Sequence, residues 1–237
     1  MTGVSRWLVA SVLILGPLFW CVGLLLRTRA VASASFTPEE VARFATEEFA
    51  ARQQLAAYAA NPGLTISAYG LFLAGAILLI PATAILTYLA ARRSPVLATM
   101  GGLLVILGFA ARVYFAGVEQ VAFQLVDIQG VDPTAALVLD AYVNVSYGPL
   151  RIPVTAAFGQ YLGMPLLAAA LYRAEIFGGA RVLVLLWSAM MWGGVLKAAG
   201  WWDVVSSAAL FVVLAALAVE IGRHGDPRLR RGGILSW

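Results

Sequence analysis

Residues 64–91 read LTISAYGLFLAGAILLIPATAILTYLAA, and they decide the fold because no charged residue occurs anywhere among them. A helix over such a stretch, rising about 1.5 Å per residue, exceeds the roughly 30 Å hydrocarbon core of a bilayer. Residues 7–26, 96–125, 150–172, 182–202 and 204–222 repeat the pattern, with no more than two charged residues in any of them. The chain is 62% hydrophobic and 12% charged, against about 25% charged in an ordinary soluble domain. These runs are continuous and rich in Leu and Ala rather than alternating, so helices and not barrel strands satisfy the backbone inside the bilayer. We expect an all-α polytopic membrane bundle of six transmembrane helices and two extracytoplasmic helices over residues 1–222, then a basic cytoplasmic tail over 223–237.

The arginines set an orientation. With a cytoplasmic N-terminus, the inner segments hold Arg6, Arg92, Arg93, Arg173, Arg181, Arg223, Arg228, Arg230 and Arg231 against three acids, Glu175, Glu220 and Asp226. The outer side receives the other seven basic residues and nine acids. This asymmetry puts both termini in the cytoplasm of a bacterial inner membrane. The net charge of +4 is therefore a topology signal, and nucleic acid is not an expected partner; the bilayer is. Arg6, an apolar run and Ala32-Ser33-Ala34 imitate a signal peptide, but a core of this length reads as an uncleaved helix.

One cysteine, Cys21, and one histidine, His224, leave no disulfide framework and no histidine-rich metal site. No GxxxxGK[ST], HExxH, GxSxG or CxxC occurs, so the usual signatures of nucleotide hydrolysis, zinc proteolysis, serine hydrolysis and thiol redox chemistry are lacking. No cofactor or metal is expected.

Two outer connections carry helix signals. In Phe36-Thr37-Pro38-Glu39-Glu40 Thr37 is an N-cap, Pro38 fits the first helical position and Glu40 completes a capping box. Glu39 with Arg43 and Glu48 with Arg52 stand four apart in the favourable order, and Asn61-Pro62-Gly63 ends what reads as one mostly solvated helix. Asp132-Pro133-Thr134 starts a second helix, expected to reach Tyr147, with Asp140, Asn144 and Tyr147 on one face. A parallel repeat of span, outer helix and span is hinted at by Val12-Leu13-Ile14-Leu15-Gly16 against Leu104-Val105-Ile106-Leu107-Gly108. Gly159 and Gly163 form a GxxxG that permits close helix approach, read as packing within the bundle.

The outer helix after the first span, the stretch Leu137-Val138-Leu139-Asp140-Ala141-Tyr142-Val143-Asn144 and the span spacing through Gly222 carry a resemblance. The chain resembles a family of bacterial six-span membrane proteins classed as a domain of unknown function. That resemblance implies a fold and no reaction.

Charges within spans are costly, about 2.5–3.5 kcal/mol each at the bilayer centre on insertion scales. Arg112 lies in the outer third of its span, and Glu119, Arg151, Lys197 and Asp203 fall in the same layer. With Gln120, Asn144 and Tyr147 as further polar groups and Tyr114, Trp192, Trp201 and Trp202 as aromatic walls, they outline an outward-open pocket. In it Glu119, Asp140 and Asp203 are the candidate acids or bases; Arg112, Gln120, Asn144, Tyr147, Arg151, Lys197, Trp201 and Trp202 are candidate ligand contacts. The structural alternative is that the basic residues snorkel, the Trp residues mark headgroup depth and Arg112 with Glu119 staples helices.

Three function classes follow: a binder or carrier of a lipid-like or hydrophobic small molecule; a membrane enzyme acting by a carboxylate on a hydrophobic substrate, with isoprenoid cyclisation as one suitable chemistry; or a structural or accessory subunit. The first is the preferred expectation.

Orientation is directly testable. In a Cys21→Ala background, a cysteine at Glu47 should react with an impermeant maleimide applied from outside and one at Ser94 should not. The opposite labelling would invert the topology.

Overall fold

The computed structural model describes residues 3–143, 150–189 and 196–224, and every regular element among them is an α-helix. These are α1 (Gly3–Ser33), α2 (Pro38–Thr46), α3 (Ala51–Ala60), α4 (Pro62–Ala91), α5 (Pro95–Gln129), α6 (Val131–Val143), α7 (Ile152–Ala157), α8 (Gly159–Arg173), α9 (Gly179–Ala189) and α10 (Trp201–His224). Five stretches are long and apolar enough to cross a membrane: α1, α4, α5, the run Ile152–Arg173 formed by α7 and α8, and α10. Large apolar residues on their outer faces, among them Leu15, Ile77, Leu103, Leu107 and Val212, are exposed, as a multi-pass membrane protein presents them to lipid.

Six such helices were expected from the sequence, and the described residues contain five. The difference is at 182–202, where α9 is an 11-residue helix, residues 190–195 lie outside the described set and Leu196 to Gly200 are not helical. The last helix begins at Trp201 rather than at 204.

Three further boundaries move. Helix α1 runs to Ser33 instead of stopping at 26, which carries Arg27 into the protein at 3% exposure. The span over 150–172 divides at Phe158, whose amide turns back on Val154 and Thr155. The first outer connection forms two helices rather than one. Its capping box is as read: Thr37 Oγ1 accepts from Glu40 N at 3.2 Å, and Thr37 N donates to Glu40 Oε2 at 2.8 Å. Helix α2 buries no residue, whereas α3 buries Ala51, Gln54, Leu55, Ala57 and Tyr58. At the break the Ala50 amide donates to the carbonyl of Leu196 at 2.9 Å. This takes Glu48 out of helical register with Arg52, which instead pairs with Glu47 at 2.5 Å.

Two glycine-lined seams hold the spans together. Helices α1 and α4 run antiparallel so closely that a Cβ on Gly23 would stand 2.5 Å from Phe72 N, and one on Gly75 would stand 2.5 Å from Trp20 N. Trp20, 1% exposed, fills the space between, with ring centroids 4.1 Å from Phe72 and 5.7 Å from Phe109. Helices α5 and α8 make the second seam. A Cβ on Gly101 would meet Leu167 N at 2.5 Å, one on Gly163 would meet Gly101 O at 2.6 Å and one on Gly108 would meet Gln160 N at 2.7 Å. The GxxxG of Gly159 and Gly163 is thus used inside the chain. Gly16 and Gly108, the paired ends of the sequence repeat, each sit on one of these seams.

A second cluster joins α3 and α6 to the N-terminal part of α4 and the C-terminal part of α5 through Leu55, Tyr58, Tyr69, Phe123, Val126 and Val138. Tyr58 stacks on Phe123 at 4.7 Å and its hydroxyl donates to Asp127 Oδ2 at 2.7 Å. That hydrogen bond to a carboxylate, and then burial, hold the Tyr58 phenol above its ordinary pKa, so it stays a donor.

Overpacking a seam should cost about 1–3 kcal/mol. We expect that loss for Gly23→Ala and Gly75→Ala. Gly70→Ala and Gly117→Ala, whose Cβ would meet nothing within 4 Å, should be neutral or gain up to about 1 kcal/mol from helix propensity. Thermal unfolding in detergent distinguishes the sets, and equal losses at all four positions would refute the seam.

Candidate functional site

The end of the bundle that carries α3 and α6 holds a buried polar group centred on Arg27. Its Nε donates to Gln54 Oε1 at 3.0 Å and its Nη2 donates to the backbone carbonyl of Lys197. Its guanidinium lies over the Tyr69 ring, 5.5 Å from the centroid. The Tyr69 hydroxyl donates to the same Gln54 Oε1 at 3.4 Å. A guanidinium can only donate, so Gln54 must turn its oxygen to Arg27. This leaves Gln54 Nε2 buried without a hydrogen-bond partner among the described residues. Glu119, 3% exposed on α5, also acts electrostatically on Tyr69.

Arg112 occupies the α5–α8 side of the same layer at 5% exposure, roughly 26 Å up the helix from Pro95 at about 1.5 Å per residue. It lies one turn beyond the Gly108–Gln160 contact and interacts with the Tyr161 hydroxyl, on which Asp203 also acts. Gln160, 3% exposed, has a buried Oε1 with no hydrogen-bond partner among the described residues. Lys197 and Asp203 form an ion pair, Nζ to Oδ1 2.6 Å, with side chains 29% and 14% exposed.

Of the sequence-derived set, Arg112, Glu119, Lys197 and Asp203 are therefore buried or part-buried. Others are not drawn in. Gln120 and Arg151 are exposed, and Asp140 is exposed on α6. Trp201 and Trp202, at 56% and 77% exposure, do not wall an enclosed pocket: Arg29 lies over the Trp201 ring at 5.7 Å and Trp202 meets Trp187 edge-on at 6.4 Å. Their exposure is that of an aromatic belt at headgroup depth, and Tyr114 is exposed as well. Asn144, Tyr147 and Trp192 lie outside the described residues.

Arg27, Gln54 and Tyr69 escaped the sequence reading. Ending the first span at 26 placed Arg27 in a loop, and Gln54 looked like one polar residue on a solvated helix. The signal was present in Ala51, Leu55 and Tyr58, which flank Gln54 on one helix face at spacings of three and four.

Comparison with protein-family models, with curated proteins and with solved structures finds no match to this chain.

If Arg27 organises this layer, its geometry matters as well as its charge. Arg27→Lys should destabilise nearly as much as Arg27→Ala, because a single ammonium cannot span both Gln54 Oε1 and the Lys197 carbonyl. Each should cost about 1–3 kcal/mol through polar groups left unsatisfied, and the Arg27→Ala/Gln54→Ala double variant should lose less than the sum. Additive losses in thermal unfolding would show the two residues to be independent.

Proposed function

We propose that this chain is a six-span protein of the bacterial inner membrane, with both termini cytoplasmic and the fifth span in the sequence-derived stretch 182–202, that binds or carries a lipid-like or hydrophobic small molecule at its outer-leaflet polar layer. The supporting observation is the concentration of polar groups there that the described chain does not satisfy by itself. Gln54 Nε2, a donor beside Arg27, and Gln160 Oε1, an acceptor against Gly108 and one turn from Arg112, are buried without hydrogen-bond partners among the described residues, and none of Arg27, Arg112 and Glu119 is more than 5% exposed. Buried polar groups without partners are uncommon and call for an occupant. A polar headgroup fits either position, accepting from Gln54 Nε2 or donating to Gln160 Oε1, while its apolar part lies along the exposed Leu, Ile and Val residues of the spans.

A second reading, a membrane enzyme, is favoured by one residue. Glu119 is 3% exposed and close enough to Tyr69 to act on it, the setting in which a carboxyl group exchanges protons with substrate rather than with water. Asp203 is engaged with Lys197 and Asp140 is exposed, so among the three candidate carboxylates Glu119 is the strongest general acid or base.

One experiment separates these readings. Protein purified in mild detergent is extracted and its retained small molecules are identified by mass spectrometry, for wild type and for Glu119→Gln, Asp140→Asn and Asp203→Asn. A binder should retain one molecular class in all four, with graded losses of up to about tenfold for Glu119→Gln and Asp203→Asn. An enzyme should process that molecule with wild type and accumulate it unprocessed with Glu119→Gln. Retention of nothing specific by any of the four would favour a structural or accessory subunit over both.

A further inference from the structure

Beyond the buried layer, a groove of about 430 Å³ opens between α2, α3 and the turn from α5 into α6, with Glu40, Arg43, Phe44, Arg52, Val131 and Asp132 in its lining. Helix α5 has 35 residues, about 52 Å at 1.5 Å per residue. Its outer end therefore clears the roughly 30 Å hydrocarbon core, and the groove faces water and headgroups.

We propose that this groove binds a small zwitterion, its anionic group held by Arg43 and Arg52 and its ammonium group by Asp132 and Glu40. Arg43 Nη2, 3.3 Å away, and Arg52 Nη1 both reach one oxygen, Asp132 Oδ1, so two guanidinium groups from two helices already converge on a single carboxylate oxygen. That carboxylate belongs to a side chain 62% exposed, and exposed ion pairs contribute little to stability, so a ligand can exchange for it at small cost. The lining holds two groups of each sign. A plain anion would meet Glu40 and Asp132, and a plain cation would meet Arg43 and Arg52. Like charges brought together oppose either, whereas a zwitterion replaces internal pairs by ligand pairs and leaves the net charge unchanged. Phe44 and Val131 give apolar surface beside the charges, and the volume falls in the range of small-molecule sites, about 300–1,000 Å³.

One wall can move to admit it. Helix α2 buries no residue and is joined to the rest by non-helical residues 35–37 and 47–50. Its ties across the groove run through Arg43 to Asp132, one of the pairs that the ligand replaces. The same chemistry occurs in a free amino acid and in the phosphoethanolamine head of a lipid.

The test is calorimetric titration of the purified full chain in detergent with leucine and with phosphoethanolamine. Acetate, ethylamine and inorganic phosphate at matched ionic strength serve as single-sign controls. At least one zwitterion should bind saturably in the millimolar range or tighter, and the controls should not. Arg52→Gln and Asp132→Asn should each weaken binding by about tenfold or more, and Glu39→Gln, outside the groove, should leave it unchanged. Should Arg52→Gln fail to fold, the exposed Asp132→Asn decides alone. Leucine binding identifies a free solute. Binding of phosphoethanolamine alone, with thermal protection in phosphatidylethanolamine nanodiscs exceeding that in phosphatidylglycerol, identifies a headgroup. No saturable zwitterion binding up to about 10 mM, or phosphate binding that strengthens in Asp132→Asn while zwitterion affinity holds, would overturn the assignment.

Discussion

The guanidinium of Arg27 is the constraint on which the end of the bundle that carries α3 and α6 is arranged. A cation at 3% exposure in a membrane bundle must find acceptors and a polarisable face within the protein, since neither lipid nor water reaches it. It finds them on three separate elements: Gln54 on α3, Tyr69 on α4 and the carbonyl of Lys197 just before α10. None is adjacent to Arg27 in sequence, so burying this one side chain requires the first outer connection to fold back onto the bundle. It also requires the chain to return at 196–197. The amide of Ala50, which donates to the Leu196 carbonyl, secures the same return from the other side.

Two kinds of contact hold the bundle. The spans approach through glycine seams and a continuous apolar core running from Trp20 through Leu167, Leu171 and Leu217. Such packing tolerates little rearrangement, because a methyl group added at Gly23 or Gly75 would collide with backbone. Toward α3 and α6, side-chain hydrogen bonds, ring contacts and ion pairs join them, among them Arg27 with Gln54 and Lys197 with Asp203. One helical turn separates Gly23 from Arg27, so the tight α1–α4 seam leads directly into this polar group.

Much of this was legible in the sequence, and the failures share a cause. Uncharged stretches located α4 and α5 to within a few residues, and the capping box at Thr37 and Glu40 placed the start of α2. The GxxxG at Gly159 was correctly read as internal packing. The misreadings occur where residues far apart in the chain meet. Arg27 was left outside because a lone cation normally marks an interface, and only its partners, contributed by Gln54 and Tyr69 from elsewhere in the chain, make its burial tolerable. The break at Glu47–Ala50 was hidden for the same reason: the hydrogen bond from Ala50 to Leu196 spans most of the chain and leaves no local signature. Trp201 and Trp202, read as walls of a pocket, are exposed at the start of α10.

The weak repeat gains meaning when the two halves are set side by side. The register that places Gly16 on Gly108 also places Arg27 on Glu119, so the buried cation and the buried anion hold equivalent positions on the outgoing helix of each half. Both act on Tyr69, which belongs to the returning helix of the first half alone. Two like charges at these positions would act together on one aromatic ring, an arrangement that low dielectric makes costly. With opposite signs, the cation and the anion both act on Tyr69 without that repulsion.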